Sequence, residues 1–204
     1  YDNNVSIEES VFLLQKLKST GSLKLTEYLT ILDNLNEEIF DFASSMARKL
    51  GDENYGKDIY LRGLIEISNI CKNDCYYCGI RHSNKNCDRY RLSREEILEC
   101  ADEGYSLGYR TFVMQGGEDG AFDAEYVCEI VKLIKERYKD VAITLSLGEY
   151  EREDYQKMFD AGADRYLLRH ETADKEHYEK LHPKTMSFEN RMNCLKDLKD
   201  IGFQ

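Results

Sequence analysis

Three times in this chain a glycine closes a helical stretch just ahead of an apolar run, and this recurrence constrains the fold most. The places are Leu107-Gly108-Tyr109, Ala161-Gly162-Ala163 and Ile201-Gly202-Phe203. Glycine adopts the left-handed backbone that ends a helix without steric penalty. The apolar runs are Leu64–Ile70, Thr111–Met114, Ala142–Leu147 and Arg165–Leu168. Amphipathic stretches separate them. A capping box, Ser93-Arg-Glu-Glu96, opens the first, with Ile97, Cys100, Ala101 and Gly104 on its inner face. Val127, Ile130, Val131 and Ile134 point inward from the second, Tyr155–Ala161 lies in the third, and Phe188–Ile201 forms the fourth. Alternation of this kind builds parallel β/α units, so the fold class is α/β. A closed (β/α)8 barrel takes about 250 residues. The 204 residues here predict the N-terminal part of a (β/α) TIM-type barrel, truncated after about four units. Such a piece has an open sheet edge and half its cavity wall, and is expected to be inactive alone.

The first 57 residues have another texture. Val11, Leu14 and Leu17 form one helical stripe, Tyr28, Ile31, Leu32 and Leu35 a second, and Ile39, Phe40, Phe42 and Met46 a third. This segment predicts a helical N-terminal cap over residues 1–57, with Gly51–Lys57 as the turn before the half-barrel of residues 58–204. The chain begins with Tyr1 rather than methionine, so the true start is expected upstream.

Composition excludes several partners. A net charge of −11 argues against a nucleic-acid groove, which needs clustered Lys and Arg. No apolar run reaches the roughly 18–20 residues that span a bilayer, and no signal peptide opens the chain. Seven cysteines, an odd number, point to metal or redox use in a reducing cytoplasm rather than to a disulfide framework.

Three of them sit in one loop after the first strand, Cys71-Lys-Asn-Asp-Cys75-Tyr-Tyr-Cys78. Chemistry in β/α folds gathers at the C-terminal ends of strands. Three thiolates can each take one iron of a 4Fe–4S cubane, leaving a fourth iron open to a substrate. The alternative is a structural zinc site completed by His82 or Cys87, or a binding module built around it. The spacing and the lack of a second C-x2-C pair weigh against zinc. Cys128 and Cys194 read as small apolar fillers, and Cys87 is open. Arg81, Lys85, Arg89 and Arg91 make a basic island, either a solvated loop or a dock for an anionic substrate or acidic electron donor.

The C-x3-C-x2-C motif, with Tyr77 before its last cysteine, resembles the signature of the radical SAM superfamily. Gln115-Gly116-Gly117-Glu118-Asp119, at the end of the next strand, is similar to the Gly-Gly-Glu element of that superfamily. Within it, Ile65–Asn69, Cys78–Arg81, Thr144–Glu149, Ala161–Thr172 and Ser187–Arg191 resemble the HydE family of FeFe-hydrogenase maturases, of the biotin synthase-like group. The resemblance implies that Cys71, Cys75 and Cys78 ligate the cluster and that S-adenosylmethionine chelates the open iron. It implies that Tyr77 packs by the adenine and that Gly116, Gly117 and Glu118 hold the amino group. It also implies polar contacts from Ser146, Glu149 and Arg169. Glu149 has the competing reading of a helix cap, Arg169 of a partner for Glu171, and His170 of a core histidine. The expected partners are a low-potential donor (flavodoxin or ferredoxin), an organometallic iron–cysteine substrate and other hydrogenase maturases. A methylornithine synthase-type enzyme on a small amino acid is the nearest alternative.

Overall fold

The computed structural model describes residues 3–204, which divide between Tyr60 and Leu61 into two compact units. The first holds α1 (Asn3–Thr20), α2 (Leu25–Asp33) and α3 (Glu37–Tyr55). Asn36 starts α3 by accepting a hydrogen bond from the Ile39 amide at 3.0 Å. Leu13, Leu14, Ile31 and Ile39 form its buried core. The predicted stripes are only partly covered, since Tyr28, Leu32, Leu35 and Phe40 are exposed. Periodicity identifies a face without identifying what covers it. The predicted turn at Gly51 is also corrected. Gly51 lies inside α3, where glycine costs only about 1 kcal/mol, and the helix stops at Gly56 with φ 62°.

The second unit runs β1 (Gly63–Ser68), α4 (Arg94–Ser106), β2 (Thr111–Gly116), α5 (Ala124–Arg137), β3 (Ala142–Ser146), α6 (Arg152–Asp160), β4 (Arg165–Tyr166), α7 (Lys175–Leu181) and α8 (Phe188–Ile201). The four strands form one parallel sheet in the order β1-β2-β3-β4, the α/β arrangement expected of a partial barrel. Gly108, Gly162 and Gly202 carry φ of 96°, 109° and 110°, so the helix ends are built as the glycines require. Each return from helix to strand spans four residues (107–110, 138–141 and 161–164), whereas the connection from β1 to α4 spans 25 (69–93).

One face of the sheet packs Ile65, Ile67, Phe112, Met114, Ile143 and Leu145 against the helices, and Val127, Ile130, Val131 and Ile134 are buried as expected. Cys128 and Cys194 are buried, but Cys100 is exposed. The inward arc of α4 runs through Leu98, which takes the place assigned to Cys100. The first strand stops short of Ile70 because its pairing shifts between Glu66 and Ser68, where Ser68 comes to face Gly116. Helix α7 escapes the sequence reading because its seven residues hold only Tyr178 and Leu181 as apolar anchors. Among the described residues, no helix is long and apolar enough to cross a membrane.

Candidate functional site

The cysteine loop and the Gly-Gly-Glu loop are stitched together by backbone. Gly117 N–H donates to Ser68 O at 3.1 Å, and Lys72 N–H donates to Glu118 O at 3.0 Å. Gly117 has no room for a side chain. A Cβ there would overlap the Ile70 carbonyl oxygen and lie 2.8 Å from Cys71 Cβ. Asp119 locks the junction from beneath. Its carboxylate accepts Arg91 Nε and Nη2, each at 2.7 Å, and Ser68 Oγ at 2.7 Å. The Arg91 guanidinium holds this carboxyl down to about 2, against the penalty of burial.

Cys71, Cys75 and Cys78 are half-buried, free, and line a single cavity of about 150 Å3 with Tyr77, Gly116 and Glu118. Ser146, Gly148, Arg169, Glu171, Met186 and Arg191 complete much of its wall. Burial pushes the Cys75 thiol up to about 11, with Cys71 and Cys78 adding to the effect and Tyr77 opposing it. A metal reverses that balance, because a coordinating thiol is deprotonated outright. Among the described residues, no three His, Cys, Asp or Glu groups converge closely enough to hold a single metal ion. A cubane receives each thiolate on a different iron. His82 and Cys87, the potential zinc partners, are not in the cavity wall. Cys87 Sγ instead accepts a contact from Asn69 Nδ2 at 3.6 Å.

The opposite wall is a set of charged groups. Glu118 lies 3.3 Å from Lys72 Nζ and 3.4 Å from Arg191 Nη2. Its side chain occupies the space over Gly148, where a Cβ would overlap Glu118 Cγ and where φ is 88°. Two buried phenols steady that glycine: Tyr166 and Tyr155 donate to Gly148 O at 2.8 and 3.2 Å. Arg191, from the first turn of α8, is only 5% exposed. Its Nε approaches Glu149 Oε1 at 2.7 Å as an ion pair lacking hydrogen-bond angles, so both atoms keep an unused hydrogen-bonding direction. Burial works against the Arg191 charge, but Glu149 and Glu118 more than offset it and its pKa is raised.

The remaining sequence-predicted groups fall out as follows. Glu149 does not cap α6, whose N-cap is Glu151; it pairs with Arg191 and accepts Asn190 Nδ2 at 2.8 Å. Among the described residues Arg169 forms no ion pair with Glu171 and donates instead to Gln115 Oε1 at 2.9 Å. Ser146 is buried in the wall. Among the described residues, His170 Nδ1 is buried without a partner. Glu171 has φ 63° in a tight turn closed by Thr172 N–H to His170 O at 2.7 Å, a strained geometry that carries its residue into the wall. The basic island is largely consumed by structure. Arg81 donates to Cys78 O at 3.0 Å, Arg89 caps the carbonyls of Asn69, Ile80, Arg81 and Asn84, and Arg91 clamps Asp119.

Sequence reasoning missed Arg191 and Gly148 as site residues. An arginine in an otherwise polar helix turn reads as surface, and a glycine before a glutamate reads as a loop. Only their place in the matching stretches Ser187–Arg191 and Thr144–Glu149 set them apart.

Residues 65–204 match the profile of the Radical SAM superfamily. The chain is 48% identical over 196 residues to the [FeFe] hydrogenase maturase subunit HydE of Thermotoga maritima, covering 94% of this chain and 54% of that protein. It superimposes on the crystal structure of methylornithine synthase (PylB) with a TM-score of 0.78 at 30% identity, covering 94% of this chain and 56% of that one. HydG, a maturase of the [FeFe]-hydrogenase, has the same fold, with a TM-score of 0.84 at 23% identity over 97% of this chain and 45% of that one. The chain thus spans about half the length of the curated relatives it matches.

Proposed function

The chain belongs to the radical SAM superfamily, and from that premise we propose that it is part of an S-adenosylmethionine-cleaving enzyme of the HydE type, acting in FeFe-hydrogenase cofactor assembly. The observation that carries the reading is the meeting of three free thiols and the Gly-Gly-Glu loop in one cavity at the C-terminal ends of the strands. The residues fit the cofactors. Three thiols match three irons of a cubane, the missing Cβ of Gly117 keeps the loops in contact, and Arg191 and Glu149 retain unused polar directions.

When bound, a 4Fe–4S cluster with an open iron supplies the electron that cleaves S-adenosylmethionine to methionine and a 5′-deoxyadenosyl radical. Cys71, Cys75 and Cys78 hold the cluster. Glu118 receives the ammonium of the methionine moiety, and Arg191 and Arg169 face the carboxylate; this pairing of opposite charges suits a zwitterion. Tyr77 borders the adenine, and Ser146, Glu149 and Glu171 supply further polar contacts. An organometallic iron–cysteine compound is the substrate in this reading, with reduction by a flavodoxin or ferredoxin and cooperation with other hydrogenase maturases. The 30% identity to methylornithine synthase supports a second reading, chemistry on a small amino acid.

Anaerobic iron–sulfide reconstitution of the full-length protein, followed by EPR of its reduced form, tests the proposal. A 4Fe–4S signal that changes on adding S-adenosylmethionine and disappears in Cys75→Ala is expected. A colourless protein holding zinc and no iron would sink the catalytic reading.

A further inference from the structure

The last residue of α7 and the connector to α8 touch the cysteine loop at three points. Tyr76 N–H donates to Leu181 O at 2.9 Å, Tyr77 Oη lies 3.1 Å from His182 Nε2, and Cys75 Sγ lies 3.5 Å from Met186 Sδ. His182 is the centre of this contact. It is 4% exposed, stacks on the buried Tyr178 ring at 3.9 Å and 21°, and meets Tyr77 edge-on at 5.5 Å and 87°. Its Nδ1 is 2.9 Å from Tyr178 O. A carbonyl only accepts, so Nδ1 carries a proton, and in the neutral imidazole Nε2 then presents its lone pair. The Tyr77 hydroxyl is therefore the donor in the bond between the two side chains. Pro183, the chain's one proline, follows His182 and stiffens the exit from α7.

We propose that His182 is a positioning residue: from α7 it anchors the far end of the Tyr77 ring and so sets the width of the cavity where S-adenosylmethionine binds. The inference rests on the radical SAM reading. Tyr77 is half-exposed and borders the cavity. Within its own loop the hydroxyl end lies beside the Cys75 thiol, and the imidazole holds it from outside the loop. A ring released from that bond samples orientations that narrow the cavity, and each binding event must first exclude them. Neither His182 nor Tyr77 is assigned to hold iron, but the Tyr77 hydroxyl lies beside Cys75, so iron content is measured alongside cofactor affinity to tell the two effects apart.

The test compares wild type, His182→Ala, His182→Gln, Tyr77→Phe and the His182→Ala/Tyr77→Phe double variant, each reconstituted in the full-length protein. Iron per chain and the S-adenosylmethionine dissociation constant, read from EPR titration of the reduced cluster, are the two observables. Iron content is expected to stay at the wild-type level. The dissociation constant is expected to rise about fivefold in either single variant, the scale of one neutral hydrogen bond. The double variant should be no weaker than the singles, because both remove one shared bond. His182→Gln, which keeps an acceptor and a donor, should recover most of the affinity. Unchanged affinity in Tyr77→Phe, or single effects that multiply in the double variant, overturns the positioning role while leaving the cluster reading intact. Should His182→Ala not fold, the Tyr77→Phe result decides. A wild type with no S-adenosylmethionine-sensitive cluster refutes the underlying reading and this proposal with it.

Discussion

Replacing Gly117 by alanine tests whether the two loops of the site are held by direct backbone contact. The added methyl would overlap Ile70 O and sit 2.8 Å from Cys71 Cβ and 2.9 Å from the Ile70 carbonyl carbon. Non-bonded carbons settle at about 3.5–4 Å, so the loops must part by about 1 Å. The atoms in the way are backbone and a cluster cysteine, not a flexible tip that can swing aside. The same movement stretches the bonds from Gly117 N–H to Ser68 O and from Lys72 N–H to Glu118 O. Overpacking of this kind costs about 1–3 kcal/mol. Cys71 moves with the loop, so damage is expected in iron retention as well as in stability. Urea unfolding of the apoprotein and iron per chain after reconstitution are the assays. Gly120→Ala, three residues along, is the control, since a Cβ there meets nothing within 4 Å. Wild-type iron and stability in Gly117→Ala, or equal losses in both variants, would refute the reasoning.

Gly148→Ala should displace Glu118 while leaving the cysteine loop alone, because its methyl overlaps Glu118 and its φ of 88° disfavours any side chain. At least tenfold weaker S-adenosylmethionine binding with normal iron is expected by calorimetry, and unchanged binding counts against the role of Glu118. Arg191→Met strands Glu118 and Glu149 beside a buried apolar group and should lower stability by about 3 kcal/mol in urea. A wild-type midpoint would show that the pair contributes nothing. Asp119 lies at about 2 against an ordinary 3.8, so its contribution to apoprotein stability is complete above pH 3.8 and is lost as the pH falls through about 2. Asp119→Asn should remove that pH dependence and cost about 2 kcal/mol at pH 7, seen by circular dichroism; an unaltered acid profile would place the transition elsewhere.

The strands and the packed helices of the second unit were legible because their signals are local. Glycine caps, the Ser93–Glu96 box and the α5 stripe each need only neighbouring residues to specify them. The cysteine loop was legible for the same reason. What stayed hidden depends on distant partners. Arg191 lies 73 positions from Glu118 and 42 from Glu149, and nothing in its own turn says that it is buried. Likewise His182 becomes informative only once Tyr77, 105 residues earlier, is seen against its ring. The basic island reads from sequence as either a solvated loop or a dock; the backbone carbonyls its arginines cap carry no sequence signature.

The unequal lengths of the connections separate what the protein can vary from what it must keep. One residue inserted at 107–110 would slide β2 by a position and turn Phe112 and Met114 out of the core. The 25-residue stretch 69–93 sets no strand register by its length; its cysteine half is pinned at Gly117, Glu118 and Leu181, and its ends are fixed by Ser68 and by the cap of α4. Sequence drift and insertion beyond Cys78 can therefore reshape the rim beside the thiols while the sheet keeps its register. New specificities can evolve on this scaffold by rewriting one end of it only.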